Sequence, residues 1–332
     1  MTTDMTRLAE RGPAYGTEAG LLVHHLSGAL DAGEAGRLAV AQLVETLPHR
    51  RVATFSADAL IDYRSRRPLV EMNEWVISSS RDPLIALDVV EDLEGASVLV
   101  LHGPEPDMRW REFVSVVADI ARACGVTMTA GLMGMPAMIP HTRPTFVHRT
   151  ATDPELIPAQ PSQPGYMTLS ASMDLYLQSY LGHCGLRAVG LVAGVPYYLS
   201  EGEYPASGVA LVEHLSSLAG LSLPVGDLEA HASVLRARVD AAVAASDEVG
   251  EIVATLEERY DEDGGIGSRR EVGPGVMPTG ESIAQSLQTF LEQVESRREG
   301  ENRGRRDAKS SRRGRRRYPP RASLRRSHRR ED

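Results

Sequence analysis

Ser97-Val98-Leu99-Val100-Leu101-His102-Gly103-Pro104-Glu105-Pro106-Asp107 opens the stretch whose reading decides the fold. Its first five residues form an apolar run of strand length, and a Gly/Pro-rich loop follows. Trp110, Phe113, Val114, Val117, Ile120 and Cys124 then share one helical face, Gly125 closes that helix, and Val126 to Ala130 reads as the next strand. Strand, loop, helix and strand in this order predict a right-handed βαβ unit and a mainly parallel sheet.

The pattern extends both ways from this unit. Upstream, strands are expected at Gly20–Leu26, Val52–Phe55 and Leu84–Val89. Asp31 followed by Glu34 has the spacing of a capping box, opening a helix with Val40, Leu43, Val44 and Leu47 on its apolar face. Asp58 to Pro68 is charged and proline-ended, and reads as loop. Downstream, Gly131 to Pro144 holds two glycines, three prolines, three methionines, His141 and Arg143. Because each proline lacks an N–H, this stretch is expected to be a shaped loop at a strand end rather than a central strand. Strands are then expected at Thr145–Thr150, Tyr166–Leu169 and Ala188–Val195, with a polar, proline-rich loop from Asp153 to Pro164. One helix carries Met173, Leu177, Tyr180, Leu181 and Cys184, and another starts at Pro205, a favourable first position for proline. Three further helical patterns cover 227–244, 247–260 and 280–298. The expected organisation is an arm over 1–19, an α/β core over 20–222, a helical extension over 223–299 and a disordered basic tail over 300–332.

Charge is divided along the chain. Residues 301–332 hold 14 Lys+Arg against 4 Asp+Glu, a formal +10, and residues 1–300 hold 22 against 41, a formal −19. An acidic body is unsuited to nucleic acid, whereas the tail could contact nucleic acid or an acidic protein. The only lysine is Lys309, so the body can supply no P-loop lysine and no Schiff-base lysine. No apolar run reaches 18 residues, and the polar start does not read as a secretory signal, so no membrane contact and a cytoplasmic location are expected. Cys124 and Cys184, both on apolar helical faces, read as buried thiols rather than a disulfide or a metal site.

The sequence contains no G-x-x-x-x-G-K-[ST], G-x-S-x-G, H-E-x-x-H, G-x-G-x-x-G or C-x-x-C. His24 and His25 are adjacent on a strand, so their side chains point to opposite faces and cannot chelate one ion. No metal and no cofactor are expected. In open parallel sheets ligands bind beyond the carboxyl ends of the strands. Glu105 and Asp107 lie beyond one such end, and Gly131, Gly134, Pro136, His141 and Arg143 beyond the next. An acid/base or ligand site could be drawn from Glu105, His141 and Arg143 across one cleft. The structural alternative makes Asp107 a helix N-cap, Glu105 a solvated carboxylate and His102 a satisfied buried histidine. Asp62 and Arg64, with Arg66 and Arg67, form either an anion clamp or a surface loop held by ion pairs.

Four ordered motifs carry a resemblance. They are Asp58-x-Leu60-Ile61-Asp62-Tyr63-Arg64-Ser65-Arg66-Arg67-Pro68, Gly103-Pro104-Glu105-Pro106-Asp107-x-Arg109-Trp110, Gly131-x-x-Gly134-Met135-Pro136-x-x-x-Pro140-His141-Thr142-Arg143-Pro144 and Val195-Pro196-x-Tyr198-Leu199. Together they resemble the proteasome assembly chaperone two family, most closely its actinobacterial branch, over roughly residues 20–295. The resemblance implies a three-layer α/β core of the phosphorylase/hydrolase-like type with a helical C-terminal extension. It also implies self-association and the binding of proteasome subunits, with no established reaction. Relatives carry ATP-grasp or carboligase labels, against which the missing lysines count. The chain ends Arg-Arg-Glu-Asp with Tyr318 internal, a departure from the hydrophobic-Tyr-X tail that chaperones of this family in other lineages can carry. The expected function is a non-catalytic, homo-oligomeric binding protein. The alternative is a small-molecule hydrolase or ATP-dependent ligase-like enzyme using loops 103–107 and 131–143.

Overall fold

The computed structural model describes residues 8–158, 160, 166 and 168–262. The chain divides into a unit over Met1–Ala284 and another over Gln285–Asp332, and the described residues all lie in the first. The helical pattern at 280–298 and the basic tail fall outside them. In chain order the elements are strands β1 (Ala9–Arg11) and β2 (Leu21–Ser27), helix α1 (Ala35–Thr46), strand β3 (His49–Phe55) and the short helix α2 (Ala57–Leu60). Strands β4 (Leu69–Asn73), β5 (Val76–Arg81), β6 (Ile85–Glu91) and β7 (Ser97–Pro104) come next, then α3 (Trp110–Ala123), β8 (Met128–Ala137) and β9 (Val147–Ala151). The chain continues as α4 (Met173–His183), β10 (Arg187–Pro196), α5 (Pro205–Ala219), α6 (Gly226–Ala244) and α7 (Asp247–Glu262).

Eight strands form one sheet in the order β1-β3-β6-β7-β2-β8-β10-β9, and β4 and β5 form a separate hairpin. The four central strands β7, β2, β8 and β10 pair in parallel, with antiparallel strands on both flanks. Helix α3 carries the chain from β7 past β2 to β8, as the opening stretch of sequence requires. Central strands are covered on both faces and therefore read as continuous apolar runs, as Leu21–Leu26 does. One apolar cluster packs α3 and α4 against one face through Phe113, Val117, Ile120, Met173 and Leu177. The other packs α1 and α5 against the opposite face through Val40, Leu43, Leu211 and Leu215. Helix, sheet and helix make the three layers.

Local chemistry sets the helix ends. Ser172 caps α4 by accepting the Leu175 N–H, and Ser172→Ala is expected to lower stability by about 1 kcal/mol in urea unfolding. Pro205 occupies the first turn of α5, and Gly220 in the left-handed region ends it.

Several expectations need correction. Gly131 to Ala137 is strand, paired to β10 as far as Ala137↔Pro196. Strand β2 accompanies β8 only as far as Gly131. The side that Pro136 cannot serve is the side on which no strand remains, so its missing N–H costs no ladder bond. Tyr166, Leu169 and the other described residues of that segment are not strand. Residues 8–19 of the N-terminal segment pack on the sheet domain: β1 pairs with β3, and Leu8, Ala14 and Ala19 join the core. Cys184 is exposed while Cys124 is buried: both follow the last residue of a helix and precede a glycine at positive φ, but Cys124 packs into the apolar cluster beneath α3.

Candidate functional site

Three sets of residues gather at the carboxyl ends of the parallel strands. In the first, Asp31 sits in the turn between β2 and α1. Its carboxylate accepts N–H groups from Gly36 (2.9 Å), Arg37 (3.1 Å) and Gly134 (2.8 Å), joining the start of α1 to β8. Charge and geometry both favour a carboxylate at a helix N-terminus. The expected capping box is half present: Glu34 lies in the left-handed region and pairs with Arg37 instead of returning to Asp31. Gly134 is required by close approach, since a Cβ there would stand 2.0 Å from the Ala32 carbonyl oxygen. At Gly131 a Cβ would meet the His24 ring at 2.8 Å. His24 and His25 take different hydrogen-bond partners, although both rings lie within 4 Å of the Asp174 carboxylate. His24 Nδ1 bonds Asp174 on α4 at 2.7 Å, whereas His25 Nδ1 bonds the Leu132 carbonyl at 3.0 Å. Among the described residues no group of three or more His, Cys, Asp and Glu could hold a metal ion.

The second set fastens the loop after α2. Asp107 accepts the Asp62 N–H (2.8 Å), the Ser65 hydroxyl (3.3 Å) and Arg66 (3.1 Å). It is therefore not the cap of α3, a position taken by Arg109 in the left-handed region. Arg66 also donates to the Glu105 carbonyl, and the Glu105 side chain accepts the Met173 N–H at the start of α4. Burial pushes the Glu105 carboxyl up, opposed by the Met173 N–H. Among the described residues Arg64 pairs with Asp62 of its own loop, and it stands largely in solvent. The loop's own ion pairs, Arg64 with Asp62 and Arg66 with Asp107, are in place.

The third set lies beyond β8. Tyr198, just after β10, accepts the His141 backbone N–H at 2.8 Å, and its hydroxyl is 2.7 Å from His141 Nδ1. With the Tyr198 O–H donating to Nδ1, the ring carries its proton on Nε2, which donates to Asp240 Oδ1 on α6 at 3.0 Å. Arg143 grips Asp261 on α7 through two bonds of 2.9 and 2.7 Å and also reaches Glu257 at 3.2 Å. Alongside runs a groove of about 370 Å³ between α5 and α6, lined by His141, Arg143, Tyr204, Val209, Arg236 and Val239. The predicted site residues thus separate. Asp62, Glu105 and Asp107 meet one another, Gly134 meets Asp31, and His141 and Arg143 serve α6 and α7. Sequence reasoning missed Asp31 as the junction, Asp174 and Asp240 as histidine partners, and Arg66 as the residue joining Glu105 to Asp107.

It also missed the hairpin. β4 and β5 are exposed along their whole length on both faces. Leu69, Val70, Met72, Val76 and Ile77 are more than half exposed, and Trp75 is 94% exposed. The two-residue turn Glu74-Trp75 has φ of 46° and 69°, as a type I′ turn demands. Such turns favour Asn-Gly. Its absence hid the hairpin from the sequence and leaves a bulky tryptophan in a strained conformation at the tip.

With this geometry in place, the chain can be compared with known proteins. A family profile described as PAC2 family matches residues 25–243. The chain belongs to the PAC2 family. Among solved structures, a Mycobacterium tuberculosis protein of unknown function is 35% identical, with a TM-score of 0.72, covering 77% of this chain and 90% of that one. A Corynebacterium glutamicum protein of unknown function is 33% identical, with a TM-score of 0.73, covering 77% and 98%. A proteasome-assembly chaperone homologue from M. tuberculosis is 25% identical, with a TM-score of 0.64, covering 70% and 99%. No curated protein matches.

Proposed function

We propose that this PAC2 family chain is a non-catalytic, chaperone-like binding protein of the cytoplasm that associates with itself and engages proteasome subunits. The observation that carries the reading is the bare apolar hairpin on a sheet whose strand ends are filled by the chain's own side chains. Glu105 and Asp107 are engaged with Met173, Asp62, Ser65 and Arg66, and His141 and Arg143 with Asp240, Glu257 and Asp261. That leaves the hydrolase or ligase alternative without a favouring geometry. The likeness to a proteasome-assembly chaperone homologue supports the choice of partner.

For self-association the hairpin is the natural surface. An isolated two-stranded hairpin is marginal in water. Its six exposed apolar side chains present on the order of 800 Å², which is about what one partner buries in a standard interface. A second copy of the chain supplies an equal area of the same chemistry. Tryptophan is a frequent anchor of such contacts. Sedimentation of the full chain tests this, with an oligomer expected and a monomer at micromolar concentration contradicting it. Mixing with purified proteasome α and β subunits tests the second half, and failure to shift either subunit on a sizing column would overturn it.

A further inference from the structure

Neither apolar cluster flanking the sheet includes a residue of α6 or α7. Leu228 of α6 packs toward Gly208 of α5, and Val239, Val253 and Leu256 are also buried. Four consecutive residues of the sheet domain bond to the helical pair. His141 bonds Asp240 and Thr142 bonds Glu257. Arg143 bonds Glu257 and Asp261, and the Pro144 carbonyl accepts the Tyr260 hydroxyl at 2.8 Å. Of these groups, only His141 changes charge in the range where the carboxylates stay ionised.

We propose that His141 is an acid-sensitive pin: protonation of its ring releases α6 from the sheet domain and widens the groove between α5 and α6.

The hydrogen bonds give the reason. Asp240 can only accept, so in the neutral ring Nε2 carries the proton and Nδ1 accepts the Tyr198 O–H, while the Tyr198 oxygen accepts the His141 backbone N–H. A protonated ring carries N–H on both nitrogens. Nδ1–H would then face Tyr198, whose proton has to turn into a site where Tyr198 is 4% exposed. A buried donor stranded in this way is costly. The groups facing the ring are Tyr198 after β10, Asp240 and Arg236 on α6, and Glu257 on α7. Asp240 attracts the added charge, but it is half exposed and shared with Arg236 at 3.3 Å. Burial, the largest influence, holds the His141 pKa below its ordinary value, with Asp240 opposing. A depressed folded pKa means the unfolded chain binds the proton more readily. The stabilisation is therefore complete above the unfolded value of about 6.5 and is lost as pH falls from there through the folded value.

His148 is also held low by burial, so global stability would mix two histidines. The readout is therefore local. Hydrogen exchange of the full chain is compared at pH 7.5 and 5.5 after correction for intrinsic rates. Protection of the α6 amides is expected to fall about tenfold relative to those of α3, and His141→Gln should remove this difference. Parallel change in α6 and α3, or an unchanged difference in His141→Gln, would overturn the proposal. Asp240→Asn provides a second arm at a half-exposed position, where folding is not at stake. Losing the attracting charge should move the opening to lower pH, and an unmoved midpoint would equally overturn it.

Discussion

Gly134→Ala is expected to cost roughly 3 kcal/mol or more of unfolding free energy, seen as a lower urea midpoint at unchanged slope. The added Cβ would stand 2.0 Å from the Ala32 carbonyl oxygen and 3.0 Å from the Ala35 Cβ. Neither neighbour is the free end of a flexible side chain, so relief must come from moving the turn or the strand. Either movement pulls the Gly134 N–H from Asp31, whose carboxylate also holds the first N–H groups of α1. Strain and lost hydrogen bonding therefore act together. Gly20→Ala is the control, because a Cβ there meets nothing within 4 Å, and a change within about 0.5 kcal/mol is expected. Equal midpoints for the two variants would show that the Asp31 junction does not hold β8 to α1.

On the proposed hairpin interface, the triple change Met72→Asp, Trp75→Asp and Ile77→Asp should weaken self-association at least 100-fold at neutral pH. Three carboxylates in a face-to-face apolar contact would be buried without partners, and each would be repelled by its counterpart. In the isolated chain the same side chains are exposed on a hairpin outside the main sheet. Core stability should therefore shift little. Loss of association with an unchanged urea midpoint, extrapolated to low protein concentration, separates an interface effect from misfolding. An oligomer that survives the triple change would move self-association elsewhere on the molecule.

The fold was legible where burial writes itself into composition. The apolar runs at Leu21–Leu26, Ser97–Leu101 and Ala188–Val195 lie in strands covered on both faces, and the spacing from Trp110 to Cys124 describes one packed helix face. Pro136 misled because a proline rule for central strands assumes a partner on each side, and β8 has lost one by that point. The site was legible in residue identity but not in arrangement. Glu105, Asp107, His141 and Arg143 all make tertiary hydrogen bonds, yet their partners Met173, Asp62, Asp240 and Asp261 lie 45 to 118 positions away in the chain. No local pattern carries such distances. The hairpin escaped for a different reason. Its strands lack a buried face, so they lack the alternation that marks a half-buried strand.

The most direct measurement is co-purification of the tagged full chain from its native host at low salt, with mass spectrometry and light scattering of what elutes. Proteasome α or β subunits in stoichiometric amount on an oligomeric chain are the expected result. A chain that elutes alone, and binds neither subunit when they are added back, would contradict the chaperone reading.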